Sequence, residues 1–269
     1  MPLFEHGFLG AEADQIRQQI LQKYTELFTS LKDLNDICHE YLCTAKYHHG
    51  EGLHVSAVSY FMRGLMTFQR LIILSERGCI EDVRALCRTL LQVCFRLAAI
   101  ATDPTVVNRI VASALDLDRK RLRLFKSGEL KMPPGTMDVD LDAKIAELDA
   151  AIEKLGGSMA TEKQLATIGG RLGDYNTAYS ILSVAAHTSP TDIQSFLKHD
   201  ENRTLLGFMY GPHDKELTTY AVYAMSLQMD SLVNLDKVIK SGLPASFSDF
   251  QNRFVRIRSD MPSIFNPQG

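Results

Sequence analysis

The chain has 269 residues, 45% of them hydrophobic and 23% charged, with 29 Lys+Arg against 32 Asp+Glu and a net charge of −3. This composition excludes a disordered, collagen-like or disulfide-stapled chain, and a chain of this length can bury roughly three-quarters of its unfolded surface. The near balance of charge excludes a global field for nucleic acid or an anionic membrane, so any polyanion site has to be a local basic patch.

Helical periodicity dominates from the start. Ala11 to about Thr44 is one amphipathic stretch, with Ile16, Ile20, Tyr24, Leu27, Phe28, Leu31, Leu34 and Leu42 on its apolar side. A His/Gly-rich loop, Ala45 to Leu53, follows. His54 to Arg77 reads as a second helix stopped by Gly78 at a C′ position. Glu81 to Thr102 is the most apolar helix, ended by Asp103-Pro104, and the proline suits the first turn of the next helix, which runs to Ser127-Gly128. Pro133-Pro134-Gly135 makes Lys131 to Asp138 a loop. Leu141 to Leu155 is a short charged helix closed by Gly156-Gly157. Thr161 with Gln164 three residues on starts another by a capping box. Asp174 caps a helix through His187, and Thr188 to Pro212 is mixed, with one helical turn near Asp192 to Leu197. Asp214 to Lys240 is long and amphipathic, and Ser248 caps a last helix to Ser259.

No alternating strands, repeat or low-complexity tract interrupts this pattern. The expectation is an all-α multi-helix bundle of about eight helices. Residues 1–269 read as a single helical domain, with 131–138 as the one subdomain boundary the composition offers.

The five cysteines (Cys38, Cys43, Cys79, Cys87 and Cys94) are odd in number, form no C-x-x-C pair and sit mostly among apolar neighbours, as reduced thiols do. Met1 to Gly10 has neither a basic n-region nor a long apolar run, so no signal peptide is expected. Thr89 to Thr102 contains Gln92 and Arg96 and reads as too short and too polar to span a bilayer. The expected setting is cytoplasmic, without a membrane partner.

Four constellations carry candidate chemistry. On the apolar helix, Arg84, Arg88 and Gln92 are four apart and stack along one edge. A guanidinium there needs a partner, either an acid on a neighbouring helix or an anionic ligand. Tyr179, Ser183 and His187 form a second polar stripe at the same spacing, read either as a satisfied buried network or as a site in which His187 transfers a proton. Cys38, His39, Cys43, His48, His49, Glu51 and His54 are the third group, but their spacing matches no familiar zinc pattern, and neither metal nor cofactor is assigned. The fourth is Arg119, Lys120, Arg121, Arg123, Lys126 and Lys131, a patch able to track phosphates. The acidic residues that follow, from Asp138 to Glu153, are placed to fold over it.

The motifs R-A-L-C-R-T-L-L-Q-V-C-F-R-L-A-A-I-A-T-D-P, Y-S-I-L-S-V-A-A-H-T-S-P and F-M-Y-G-P-H-D-K-E-L resemble, in that order, an uncharacterised bacterial all-helical domain family over roughly Ser56 to Val238. The family pairs an Arg-Ser/Thr-Leu-x-Glu helix with a Tyr-x-x-Leu-Ser-x-x-x-His helix. The resemblance matches Arg88, Tyr179, Ser183 and His187 to those positions, and Gln92 stands where the family usually has Glu. More distantly, an Arg and a His in a helical bundle are similar to HEPN domains, which include dimeric, metal-independent ribonucleases of toxin and phage-defence systems. Their Arg and His lie four to six residues apart on one helix, a spacing this sequence does not contain. What the resemblance implies is an RNA-acting effector, with His187 and Arg88 catalytic and Tyr179 and Ser183 orienting them. Arg84, Gln92 and the basic patch would bind RNA. The other reading is a non-enzymatic interaction or sensing module, with a second copy or another protein as partner.

Overall fold

The apolar stretch around residue 90 becomes the central helix of the protein. The computed structural model describes residues 6–131, 140–186, 194, 196–208 and 211–259. A short 3-10 turn, Gly7–Leu9, leads into α1 (Ala11–Lys23), α2 (Thr25–Thr44), α3 (Gly52–Glu76), α4 (Ile80–Thr102) and α5 (Val106–Lys126). Next come α6 (Leu141–Lys154), α7 (Glu162–Ile168), α8 (Leu172–Asp174), a π-helical turn (Tyr175–Tyr179) and α9 (Ser180–Ala186). An antiparallel hairpin, β1 (Leu197–His199) and β2 (Leu205–Phe208), precedes α10 (Leu217–Ile239) and α11 (Ala245–Ser259). The protein is thus an all-α multi-helix bundle, as expected, with one hairpin that the sequence pattern did not announce.

α4 packs against α3 on one side and α10 on another, and α3 and α10 also pack on each other. Val83, Cys87, Leu90, Leu91, Cys94, Phe95, Leu97 and Ile100 of α4 are buried in that triangle. Gly64 makes the closeness possible, since a Cβ there would meet Val93 Cγ1 of α4 at 3.0 Å. By length and composition alone α4 could cross a bilayer, because the helix is longer than its most apolar end. In this bundle 56% of its apolar window is buried inside the protein. That is the pattern of a core helix buried on most sides.

The ends of the elements follow local chemistry. The stretch expected as one helix from Ala11 to Thr44 breaks at Tyr24, with φ −116° and ψ 32°. There Lys23 Nζ donates to Asp214 at 2.6 Å and the Tyr24 hydroxyl donates to the same carboxylate at 3.0 Å, which ties the break to the segment leading into α10. Gly78 ends α3 with φ +69°, and a Cβ at this position would lie 2.8 Å from the His213 backbone nitrogen, which donates to the Gly78 carbonyl. The Thr161–Gln164 capping box forms in full. Two expected caps do not form. α8 begins before Asp174, whose carboxylate takes the Arg171 guanidinium instead, and α11 begins at Ala245, so Ser248 lies inside it. Of the loop expected at Lys131 to Asp138, residues 132–138 lie outside the described residues, as does most of the helical turn expected at Asp192 to Leu197.

A second layer, α7 to α9, covers the other flank of α4. Leu165 and Ala166 of α7 are buried, and Gly169 just beyond it rests against the α4 backbone. A Cβ at Gly169 would lie 2.8 Å from the Ala98 Cβ and 3.0 Å from the Ala99 nitrogen.

Gly169→Ala is therefore expected to lower the free energy of unfolding by about 1–3 kcal/mol through overpacking, read as an earlier urea midpoint with unchanged slope. Asp214 supplies a pH test. The Lys23 hydrogen bond holds its carboxyl below the ordinary Asp value. A lowered carboxyl contributes stability above its unfolded pKa, about 3.9, and loses it as pH falls further through the folded value. Asp214→Asn is expected to be less stable than wild type by a constant amount near neutrality, with the gap closing below that pH in urea titrations.

Candidate functional site

The polar row on α4 lies where the second layer meets the core. Arg84, Arg88, Gln92 and Arg96 recur every four residues along one edge, so the rhythm seen in the first three continues for one more turn. Each finds different company. The Arg84 guanidinium lies over the Tyr220 ring of α10, 5.9 Å from its centroid. Arg96 makes a two-pronged pair with Glu162 in the first turn of α7, donates to the Gln92 carbonyl at 3.0 Å, and lies over Tyr60 of α3. Glu162 was not legible as its partner, because nothing in the sequence fixes which acid reaches which arginine.

Arg88 is held by the tyrosine helix. Its Nε donates to Ser183 Oγ at 3.1 Å and its Nη2 to the Tyr179 hydroxyl at 3.0 Å. Its guanidinium carbon lies 5.0 Å from the centre of the Tyr179 ring. Gln92 Nε2 reaches the same hydroxyl at 3.5 Å, the limit of hydrogen-bond distance. The Ser183 hydroxyl spends its own proton on the Tyr179 carbonyl at 2.6 Å, so its oxygen is free to accept from Arg88. The Tyr179 hydroxyl accepts from Arg88, and its O–H has no acceptor among the described residues.

The backbone of this helix is unusual at that point. Tyr175–Tyr179 is a π turn, the kind of local widening that recurs at functional sites. It stacks Tyr175 on Tyr179 with centroids 5.0 Å apart and planes 15° apart, and the buried Phe95 of α4 backs both rings. Neither the π turn nor the role of Phe95 has a sequence signal in a four-residue stripe. Arg171, which donates to Asp174 and Asp230, ties α8 to α10 and so anchors the start of this helix.

Among the described residues, Arg88 meets no carboxylate. Hydroxyls accept its hydrogen bonds without neutralising its charge. The half-buried guanidinium and the unused Tyr179 O–H together form a donor set for an anion, and the planar fork of arginine matches a phosphate or carboxylate. His187 follows Ser183 by four residues and lies outside the described residues.

The other candidates separate. The basic patch is met by acids, as its neighbourhood suggested. Arg119 pairs with Asp116 and Asp149, Lys120 with Asp116 at 2.8 Å, Arg121 with Asp118 at 3.2 Å, Arg123 with Asp149 at 3.5 Å, and Lys126 with Asp142. The Lys120 and Arg119 partners hold the Asp116 carboxyl below its ordinary range. The Cys/His segment disperses. Cys38 is buried in the core, His39 contacts Gln69, and His48 stacks on His54. Among the described residues, no three His, Cys, Asp or Glu side chains gather as a metal site. Burial pushes the Cys38 and Cys94 thiols up to about 12, so both are poor nucleophiles.

A model of a family of unknown function, DUF5677, matches residues 54–204, from the start of α3 to just before β2. The match contains both the α4 row and the Tyr179–Ser183 helix. No curated protein matches the chain, and no solved structure does.

The two arginines give stability expectations of different size. Arg88→Met keeps the volume and removes a charge that no acid needs, so its cost is expected to stay within about 1 kcal/mol. Arg96→Met leaves the half-buried Glu162 carboxylate without its cation and is expected to cost about 2 kcal/mol. Urea unfolding of both variants checks the order, and a costlier Arg88 variant would make that residue structural.

Proposed function

We propose that this chain, which belongs to the family of unknown function DUF5677, acts on RNA, with Arg88 holding a backbone phosphate. The observation that carries this reading is the guanidinium itself. It is half-buried and held only by hydroxyls, with no carboxylate among the described residues. A partly desolvated charge is costly without a counter-charge, and a phosphate supplies one. Ser183 fixes the arginine, and the Tyr179 O–H adds a donor to the same anion.

His187 is assigned the proton transfer on the strength of the sequence stripe alone. In the proposed reaction the ribose 2′-oxygen forms a bond to phosphorus, its proton passes to His187, and the bond to the 5′-oxygen breaks. The leaving oxygen takes a proton from solvent, and a 2′,3′-cyclic phosphate remains. Arg88 neutralises the charge that gathers on the phosphoryl oxygens.

The ion pairs between α5 and α6 favour a second reading, a non-enzymatic interaction module. They neutralise Arg119, Arg123 and Lys126 of the basic patch that could have tracked a polyanion at long range.

Wild type, Arg88→Met and His187→Ala should be compared for RNA binding at low salt and for cleavage with EDTA present. The expected pattern is cleavage by wild type only. His187→Ala should retain binding, and Arg88→Met should bind at least about tenfold more weakly. Absence of RNA binding by the wild type would overturn the RNA reading in favour of the interaction module.

A further inference from the structure

Away from the α4 row, the hairpin is the part of the protein whose surroundings do not account for its side chains. Its turn is well specified. Asp200 Oδ1 accepts from the backbone nitrogens of Asn202 at 2.9 Å and Thr204 at 2.7 Å, the Asp200 nitrogen donates to the Thr204 carbonyl, and Arg203 takes a positive φ of 62°. The strands pair as Leu197 with Phe208, Lys198 with Gly207 and His199 with Leu205, so the register shifts between Lys198 and His199 and the extra residue is Leu206 of β2. The strands pack chiefly on each other rather than on the helices. Phe196, Leu205, Leu206 and Phe208 are 40, 50, 59 and 65% exposed. A lone two-stranded sheet is marginal in water, and a small surface element this apolar is not explained by solubility.

The two outer edges differ. The β1 strand carries Lys198 and His199, the kind of charge-bearing residues that keep an edge from accepting another strand. The β2 strand reads Leu205-Leu206-Gly207-Phe208 and carries no charge, and among the described residues it pairs only with β1. A two-fold axis lays a strand antiparallel to itself, so any charge on the strand approaches its own copy. β2 tolerates that arrangement and β1 does not. With the axis between Leu206 and Gly207, Leu205 of each copy faces Phe208 of the other, and the missing side chain of Gly207 leaves room opposite Leu206.

We propose that β2 pairs with β2 of a second copy of this chain. The product is a continuous four-stranded antiparallel sheet that joins two bundles about a two-fold axis. The unpaired N–H and C=O groups of the edge find partners, and the four apolar side chains gain cover. This inference stands apart from the RNA reading and does not depend on Arg88.

Sedimentation of the full chain across a concentration series tests it, with Leu206→Lys on the proposed edge and Lys198→Glu on the guarded one. Far-UV circular dichroism of each variant checks that the helices are retained, and Phe208→Lys serves as a second edge variant. The expected result is a wild-type monomer–dimer equilibrium. Leu206→Lys should weaken it by at least about tenfold through two like charges brought together beside the axis, and Phe208→Lys by a similar factor because an ammonium then replaces the ring that faces Leu205 of the other copy. Lys198→Glu should leave it within about twofold, as a substitution outside the contact. A wild type that stays monomeric throughout would overturn the proposal. So would a dimer indifferent to both edge variants, or one weakened equally by Lys198→Glu.

Discussion

A charge carried by a helix that is buried on most sides must be met by something. α4 is such a helix, and it carries arginines or glutamine at every fourth position along one edge. The elements around it are arranged to meet that row. α3 offers the Tyr60 ring, α10 the Tyr220 ring, α7 the Glu162 carboxylate, and the π turn and α9 the hydroxyls of Tyr179 and Ser183. Gly169 lets the α7–α9 layer come close enough for these contacts, because any larger residue would strike the α4 backbone. The row thus sets both the seam between the two layers and the place where the seam meets solvent.

The protein does not treat its arginines alike. Arg119 and Arg171 each receive two carboxylates and Arg96 receives one, while Arg88 receives hydroxyls alone among the described residues. Acids stand elsewhere on the neighbouring helices, as Glu162 does beside Arg96 and Asp230 beside Arg171, and among the described residues none is placed at Arg88. The hydrogen-bond directions sharpen this. Ser183 satisfies its proton on its own helix and serves Arg88 purely as an acceptor. Tyr179 accepts from Arg88, and among the described residues its O–H has no acceptor. Ring stacking against Tyr175 and Phe95 holds Tyr179 in place beside Arg88, and this arrangement is what supports the proposal of an anion there.

Much of this was legible in the sequence, and the reasons are particular. The helices with long apolar stripes were found because burial enforces a period near 3.6, and the pairing of α5 with the acidic α6 followed from the order of the charges. The contact of Arg88 with Tyr179 and Ser183 was suggested by two stripes of equal spacing and by a motif resemblance. The break at Tyr24 was not legible, because its cause is Asp214, far away in the chain. The hairpin escaped because its strands are three and four residues long and Leu-Leu-Gly-Phe does not alternate. Ser248 and Asp174 have good capping chemistry, but the helices start before them, at Ala245 and Leu172. The two-pronged Arg96–Glu162 pair joins residues far apart in sequence, and no local pattern could select that acid from the others.

The most direct measurement is a titration of the whole protein with inorganic phosphate, followed on the Arg88 side-chain Nε–H signal by NMR and assigned by its loss in Arg88→Met. An unneutralised guanidinium should show a saturable shift of that signal, while the Arg96 signal, already paired with Glu162, should stay in place. An Arg88 signal that does not move, or one that moves no more than that of Arg96, would contradict the view that this position is kept open for an anion.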